Sequence, residues 1–138
     1  MACETAGPPA KSNKPQQTTG GQVVVLTLAN WEKEVVESPI PVLVDFTAVW
    51  CPPCKILAPR IEALAGKYDG KIKVAKFDVG DNSFHNLKPL TSKYSYVKFG
   101  GVPTVMIFKG AGPPLWTHSG ADAEATYVRA IEGVLAAR

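Results

Sequence analysis

Cys51 and Cys54 are the residues of this 138-residue chain best suited to chemistry. They stand three apart in Val44-Asp45-Phe46-Thr47-Ala48-Val49-Trp50-Cys51-Pro52-Pro53-Cys54-Lys55, where an apolar, β-prone run from Ile40 to Phe46 gives way to helical spacing. That order puts Cys51 at the carboxyl end of a buried strand and at the N-cap of the next helix. Pro52 then takes the first helical position, where its missing N–H costs nothing. Unpaired N–H groups and the positive end of the helix dipole favour an anion at Cys51, lowering its pKa and making it a thiolate nucleophile. Cys54 follows about one turn later, its sulfur close to that of Cys51. The pair can cycle between dithiol and disulfide, with Cys51 attacking a substrate disulfide and Cys54 resolving the mixed disulfide. Half a zinc site has the same spacing, but a structural site needs four ligands and the chain adds only Cys3, His85 and His118, which are scattered. No metal site is expected. Two inert core cysteines would be a poor use of Trp-Cys-Pro-Pro-Cys at a strand-to-helix junction.

Asp45 is the most informative residue outside the cysteines. It is an acid within an otherwise apolar buried strand, where an unpaired charge is expensive and the pKa should rise. Six residues before Cys51, it is placed to sit beneath the disulfide and accept a proton from Cys54 during resolution. The competing arrangement is a strand-end aspartate that points at solvent.

The elements that must position these residues follow from patterning. Val23 to Thr27 is a short β-branched strand, and Asn30 caps a helix through roughly Glu37, with Glu32 and Glu34 in its first turn. Ser38-Pro39 ends it. Pro41 to Ala48 is nearly all apolar, as in a strand buried on both faces. The helix after Cys51 aligns Leu57, Ile61, Leu64 and Tyr68 in one stripe, with Pro59 expected to kink it and Asp69-Gly70 to close it. Lys71 to Val79 is a third strand with Ile72, Val74 and Phe77 as interior candidates. The long connection Gly80 to Gly101 repeats Leu87, Leu90, Tyr94 and Val97 at helical intervals, with Pro89 in the first turn or at a kink. Val102 to Lys109 is a fourth strand, and Leu115 to His118 a fifth, at the edge. Asp122 opens a final helix with Tyr127, Val128, Ile131, Val134 and Leu135 on one face. Early crossovers imply parallel strands and the tight Gly-Pro turn antiparallel ones. The expected fold class is α/β, a mixed central five-stranded sheet flanked by helices on both faces.

At this length the chain is one domain, residues 23–138, preceded by a tail over residues 1–22. The tail is rich in Pro, Gly, Gln, Thr and Ser and is expected to be disordered, with Cys3 unassigned. It lacks the apolar core of a secretory signal and the arginines of a transit peptide, so a cytoplasmic setting is expected. No apolar run approaches the roughly 20 residues of a membrane span. A net charge of +3 and the lack of a basic stripe interleaved with aromatics speak against nucleic acid.

Asp-Phe-x-Ala-x-Trp-Cys-x-Pro-Cys-Lys, with Pro59 downstream, resembles the active-site segment of the thioredoxin family, and the likeness extends over about residues 23 to 137. The family's fold matches the one expected above. The resemblance implies that Asp45 is the family's buried acid and that Lys76, in the neighbouring strand, is the lysine that pairs with it. It further implies that Pro103 in Gly101-Val102-Pro103-Thr104 is a cis proline facing the cysteines. Val102 would then offer its backbone N–H and C=O to an extended substrate peptide. Trp50, with Pro52 and Pro53 beside it, would form an apolar shoulder for the partner, and Gly120 would leave room for the substrate chain.

Three departures qualify the likeness. Pro-Pro stands between the cysteines where the family most often has Gly-Pro, which removes a backbone N–H near the Cys51 sulfur. Thr47 replaces a second tryptophan found in many members. The Gly80 to Gly101 connection is several residues longer than usual, and Phe84, Tyr94, Tyr96 and Phe99 make it aromatic, so it is expected to add surface beside the site. The function implied is that of a monomeric thiol–disulfide oxidoreductase chiefly reducing protein disulfides, recharged by a separate reductase of the flavin- and NADPH-using type. It needs no bound cofactor beyond the Cys51/Cys54 disulfide. A disulfide oxidant or isomerase, and an adaptor or redox sensor using the 80–101 loop, are the competing functions.

Overall fold

The computed structural model describes residues 21–137. The expectation of a disordered tail concerns residues outside that range, save Gly21 and Gln22, and Cys3 lies outside it too. Five strands alternate with helices: β1 (Val24–Leu26), α1 (Leu28–Trp31), β2 (Val42–Thr47), α2 (Pro52–Lys67), β3 (Lys73–Asp78), α3 (Leu87–Lys93), β4 (Thr104–Phe108), β5 (Trp116–Ser119) and α4 (Glu124–Ala136). They build one sheet in the order β1-β3-β2-β4-β5. β3 pairs parallel with both β1 and β2, while β2–β4 and β4–β5 pair antiparallel.

β2 sits in the middle, and its alternation divides the core. Val42, Val44 and Phe46 join Trp31, Phe77, Leu90 and Phe108 on the face covered by α1 and α3. Leu43 joins Leu57, Ile61, Leu64, Tyr127 and Ile131 on the face covered by α2 and α4. Both sides of the strand are thus shut off from water, which explains its near-continuous apolar run. Asp45 shares the parity of Leu43, so its carboxyl is turned toward α2. α2 carries the expected stripe of Leu57, Ile61 and Leu64 and runs as one element through Pro59.

Three local expectations are corrected. The first helix is capped by Thr27, not Asn30. The Asn30 backbone N–H donates to Thr27 Oγ1 (3.3 Å), while Asn30 Oδ1 accepts from the Thr27 N–H (2.7 Å). This is a capping box with asparagine in the place usually held by glutamate or glutamine. α1 then widens into a π-helical turn, Glu32–Val36. Asp122 does not open α4, which begins at Glu124; its Oδ1 instead accepts the Ala123 N–H (2.8 Å) just ahead of the helix.

The aromatic residues of the 80–101 connection are half-buried. Their rings turn inward, with Phe99 4.7 Å from Phe46, Tyr94 6.1 Å from Trp31 and Tyr96 6.2 Å from Phe108. Covering part of each ring is favourable, so the segment packs against the core under β2 and β4 while leaving part of its aromatic surface exposed.

Candidate active site

The site forms where β2 ends and α2 begins. Cys51 is the N-cap of α2 with an extended backbone (φ −104°, ψ 109°), and Pro52 is the first helical residue. Cys51 Sγ accepts the Cys54 backbone N–H at 3.2 Å, one of the donors that a helix start leaves without an intrahelical partner. The two cysteines are joined in a disulfide with their Cα atoms 5.2 Å apart. Both are buried, at 3% and 2% exposed. Pro52, Pro53 and Val49 are exposed around them, and Trp50 is 44% exposed, so the buried sulfurs lie under an apolar rim.

A second wall comes from the residues just before β4. The Val102–Pro103 peptide is cis, and the Val102 carbonyl oxygen lies 3.6 Å from Cys51 Sγ. The Gly120 N–H donates to the Pro103 carbonyl (2.8 Å), and the Tyr127 hydroxyl donates to the Gly120 carbonyl (3.2 Å). The loop after β5 is therefore tied to the start of β4 and to α4. Gly120 has φ +91° with nothing within 4 Å of where a Cβ would stand. The backbone conformation calls for glycine there, while the space beside it is open.

Behind the disulfide, a groove of about 590 Å³ opens between α2 and the β1–β3–β2 side of the sheet. Asp45, Thr47, Cys54, Lys55, Lys76 and Asp78 line it. Asp45 is 3% exposed, and its Oδ1 has no hydrogen-bond partner among the described residues. Burial raises its pKa from the ordinary aspartate range to about 7, and the positive charge of Lys76 opposes the rise. Lys76 stands directly opposite Asp45 in the parallel pairing of β2 and β3, but it is exposed and forms no salt bridge with Asp45 within 4 Å. Thr47, two residues further along β2, lines the same groove.

The elements thus bring Cys51, Cys54, Trp50, Pro52, Pro53, Val102 and Pro103 around the disulfide, Asp45 and Lys76 behind it, and Gly120 beside Pro103. One contact has no counterpart in the sequence reading: the Trp50 indole N–H donates to the Gly80 carbonyl (2.7 Å). Its only sequence signal was the unusual length of the connection that starts at Gly80. His85 and His118 contact Asp81 (3.1 Å) and Asp122 (3.4 Å) respectively, and neither reaches the disulfide sulfurs through a hydrogen bond. Among the described residues no cluster of three or more His, Cys, Asp or Glu side chains could hold a metal, and no helix is long and apolar enough to cross a membrane.

An arrangement of this kind can exchange disulfides: a capped sulfur at a helix N-terminus, a partner sulfur one turn on, and an acid titrating near neutrality behind them. Comparison with known proteins agrees. Residues 22–132 match the family model described as thioredoxin. The chain is 41% identical over 85 residues to thioredoxin 1 of a Nostoc species, covering 62% of this chain and 72% of that protein. It is 44% identical to the thioredoxin of Buchnera aphidicola, over 64% of this chain and 75% of that one. It is also 40% identical to the M-type, chloroplastic thioredoxin of Chlamydomonas reinhardtii, over 73% of this chain and 66% of that one.

Proposed function

The chain belongs to the thioredoxin family, and on that premise we propose how its residues divide the reaction. It is a thiol–disulfide oxidoreductase whose main activity is the reduction of protein disulfides. Electrons travel through the Cys51–Cys54 pair. In the reduced protein the Cys51 thiolate attacks one sulfur of the substrate disulfide. A Cys51–substrate disulfide forms and the first substrate thiolate leaves. Cys54 then gives up its proton to Asp45 and attacks Cys51 Sγ, which closes the protein disulfide and releases the second substrate thiolate to take up a proton.

The observation that carries this reading is the hydrogen bond from the Cys54 N–H to Cys51 Sγ, since it aims a helix-start donor at the sulfur that must bear negative charge. Asp45 supports it, because a carboxyl with a pKa of about 7 can both accept and return a proton at working pH. Lys76 tunes that acid through space. The Val102 backbone and Pro103 receive the substrate chain in extended form, with Trp50, Pro52 and Pro53 as the apolar rim and Gly120 as the clearance on the far side. The protein acts as a monomer on disulfide-containing proteins. A separate flavin- and NADPH-using reductase recharges it in a reducing compartment, in the first instance the cytoplasm. Residues 23–138 form the catalytic domain.

The test is the reduction potential of the Cys51–Cys54 pair, equilibrated against graded dithiothreitol or glutathione mixtures. The general thioredoxin value of about −270 mV is the yardstick, and a result close to it supports the reductase direction. A value between about −180 and −120 mV, the range of isomerases and strong oxidants, would overturn that direction.

Gly120 offers a separate check. Gly120→Ala should cost about 1–2 kcal/mol in chemical denaturation, because only the left-handed backbone resists the added methyl and no atom lies in its way. Gly120→Leu should cost about the same in stability but raise the KM for a protein disulfide several-fold. An unchanged KM would remove Gly120 from the docking surface.

A further inference from the structure

Phe84 is the single non-glycine residue with a positive φ (+60°) among those described. A bulky side chain seldom adopts that conformation, and where it persists the surrounding contacts hold it there. The Phe84 N–H donates to the Asp81 carbonyl (2.8 Å) and its own carbonyl accepts the Leu87 N–H (2.9 Å), while aromatic contacts hold the ring. The Phe84 ring centre lies 6.4 Å from that of Trp50 and 6.2 Å from that of Phe99, and Phe99 in turn lies 4.7 Å from Phe46 of β2. A file of rings therefore runs from the middle of the sheet out to the exposed tryptophan next to Cys51.

The backbone around Phe84 is folded tightly for the same end. Gly80 supplies the carbonyl that accepts the Trp50 indole N–H. It has φ +94°, and a Cβ at that position would stand 2.5 Å from the His85 ring. The turn is closed by the Asn86 N–H donating to the Val79 carbonyl (3.0 Å) and by Asp81 Oδ1 accepting the Ser83 N–H (2.9 Å). Trp50 is thus held by two independent contacts, one polar through Gly80 and one apolar through Phe84, both supplied by the segment that follows β3.

We infer that Phe84 is a positioning residue that fixes the orientation of the Trp50 indole and thereby favours protein disulfides over small ones. This rests on the reading of Trp50 as part of the docking surface. A partner polypeptide that lies across Trp50 gains from an indole already held in place, because no side-chain freedom is lost on docking. A small disulfide that reaches Cys51 without covering Trp50 gains nothing from it.

The experiment compares Phe84→Gly, Trp50→Ala and the double variant on a protein disulfide and on a small aromatic disulfide. It also follows the Trp50 indole N–H resonance by NMR, assigned by its loss in Trp50→Ala. Glycine suits φ +60°, so Phe84→Gly removes the ring and relieves the backbone together. The expected result is a KM for the protein disulfide raised about 3- to 10-fold, as for loss of an aromatic contact. The small-disulfide rate should stay within about two-fold, the indole resonance should shift or broaden, and Phe84→Gly should have no further effect in the Trp50→Ala background. An unmoved indole resonance, or equal loss on both substrates, overturns the inference. If Trp50→Ala itself leaves the protein-disulfide KM unchanged, the docking role of Trp50 fails, and with it the claim on specificity. The resonance still reports in that case whether Phe84 orients the ring. Should Phe84→Gly fail to fold, Phe84→Asn, which also accepts positive φ, carries the same readings.

Discussion

A Cys54→Ser protein is expected to accumulate covalent adducts with its substrates, and a Cys51→Ser protein to form none. The asymmetry follows from where the two sulfurs sit. Cys51 caps α2 and accepts a backbone N–H, a placement that favours negative charge on its sulfur, and the rim of Trp50, Pro52 and Pro53 surrounds it. Cys54 lies one turn into the helix and lines the groove behind. With Cys54 replaced, the first exchange proceeds and the mixed disulfide at Cys51 has no internal thiol to release it. With Cys51 replaced, no activated nucleophile remains. Turnover should fall at least about 10³-fold in both proteins, as when a nucleophile working as part of a unit is lost. Alkylation quenching followed by intact mass measurement distinguishes them: adducts that dithiothreitol removes should appear in Cys54→Ser alone. Adducts that form preferentially in Cys51→Ser would exchange the two roles.

Asp45→Asn is expected to make the protein more stable and slower at once. The folded-state pKa of Asp45 is about 7 against 3.8 for an ordinary aspartate, so between those values the folded protein holds a proton that the unfolded chain has released. Stability contributed by the protonated carboxyl is therefore full below about pH 4. It is lost as pH rises toward 7, by up to ~4 kcal/mol for a shift of this size in a buried group. An asparagine carries no charge to bury, so denaturation curves of Asp45→Asn should show a gain of a few kcal/mol at pH 8 and little at pH 4. A gain that is the same at both pH values would show that ionisation of Asp45 is not its source. The rate should move the opposite way. Without an acceptor for the Cys54 proton, resolution should slow about 10²-fold near pH 7, and the defect should shrink as pH approaches the intrinsic pKa of the thiol. A variant with wild-type rates at pH 7 would remove Asp45 from the proton path.

Much of this site was readable in the primary structure because its key residues break local rules. An acid within Val42–Thr47 and cysteines flanking two prolines are each poor choices for packing alone, and such conflicts mark function. The sheet was legible for the opposite reason: β2 is apolar apart from Asp45 and the terminal Thr47, as a strand with helices on both faces should be. What escaped the sequence depends on distant partners. The Thr27 cap was hidden because the box closes on an asparagine, and the π-helical turn after α1 has no pattern of its own. The half-burial of the aromatic residues in the 80–101 connection has no local signal, because Phe46, Trp31 and Phe108 beneath them are distant in the chain. The left-handed backbone of Phe84 is likewise a product of its neighbours, since no β- or α-propensity points to it. The distance between Asp45 and Lys76 depends on side-chain reach, and register alone left it open.

The contact between Cys51 and the Val102 carbonyl joins residues 51 positions apart in the chain. Ribosomes extend a chain by about 5–20 residues per second, so Cys51 is made roughly 3–10 seconds before the backbone that walls it in. The sheet cannot close over the cysteines in that interval, because β4, the antiparallel neighbour of β2, has not yet been synthesised. Each newborn molecule therefore passes through a stage in which both cysteines exist without the backbone that will lie beside them. The wall beside the sulfurs belongs to the completed chain, whereas the sulfurs themselves are present from mid-translation.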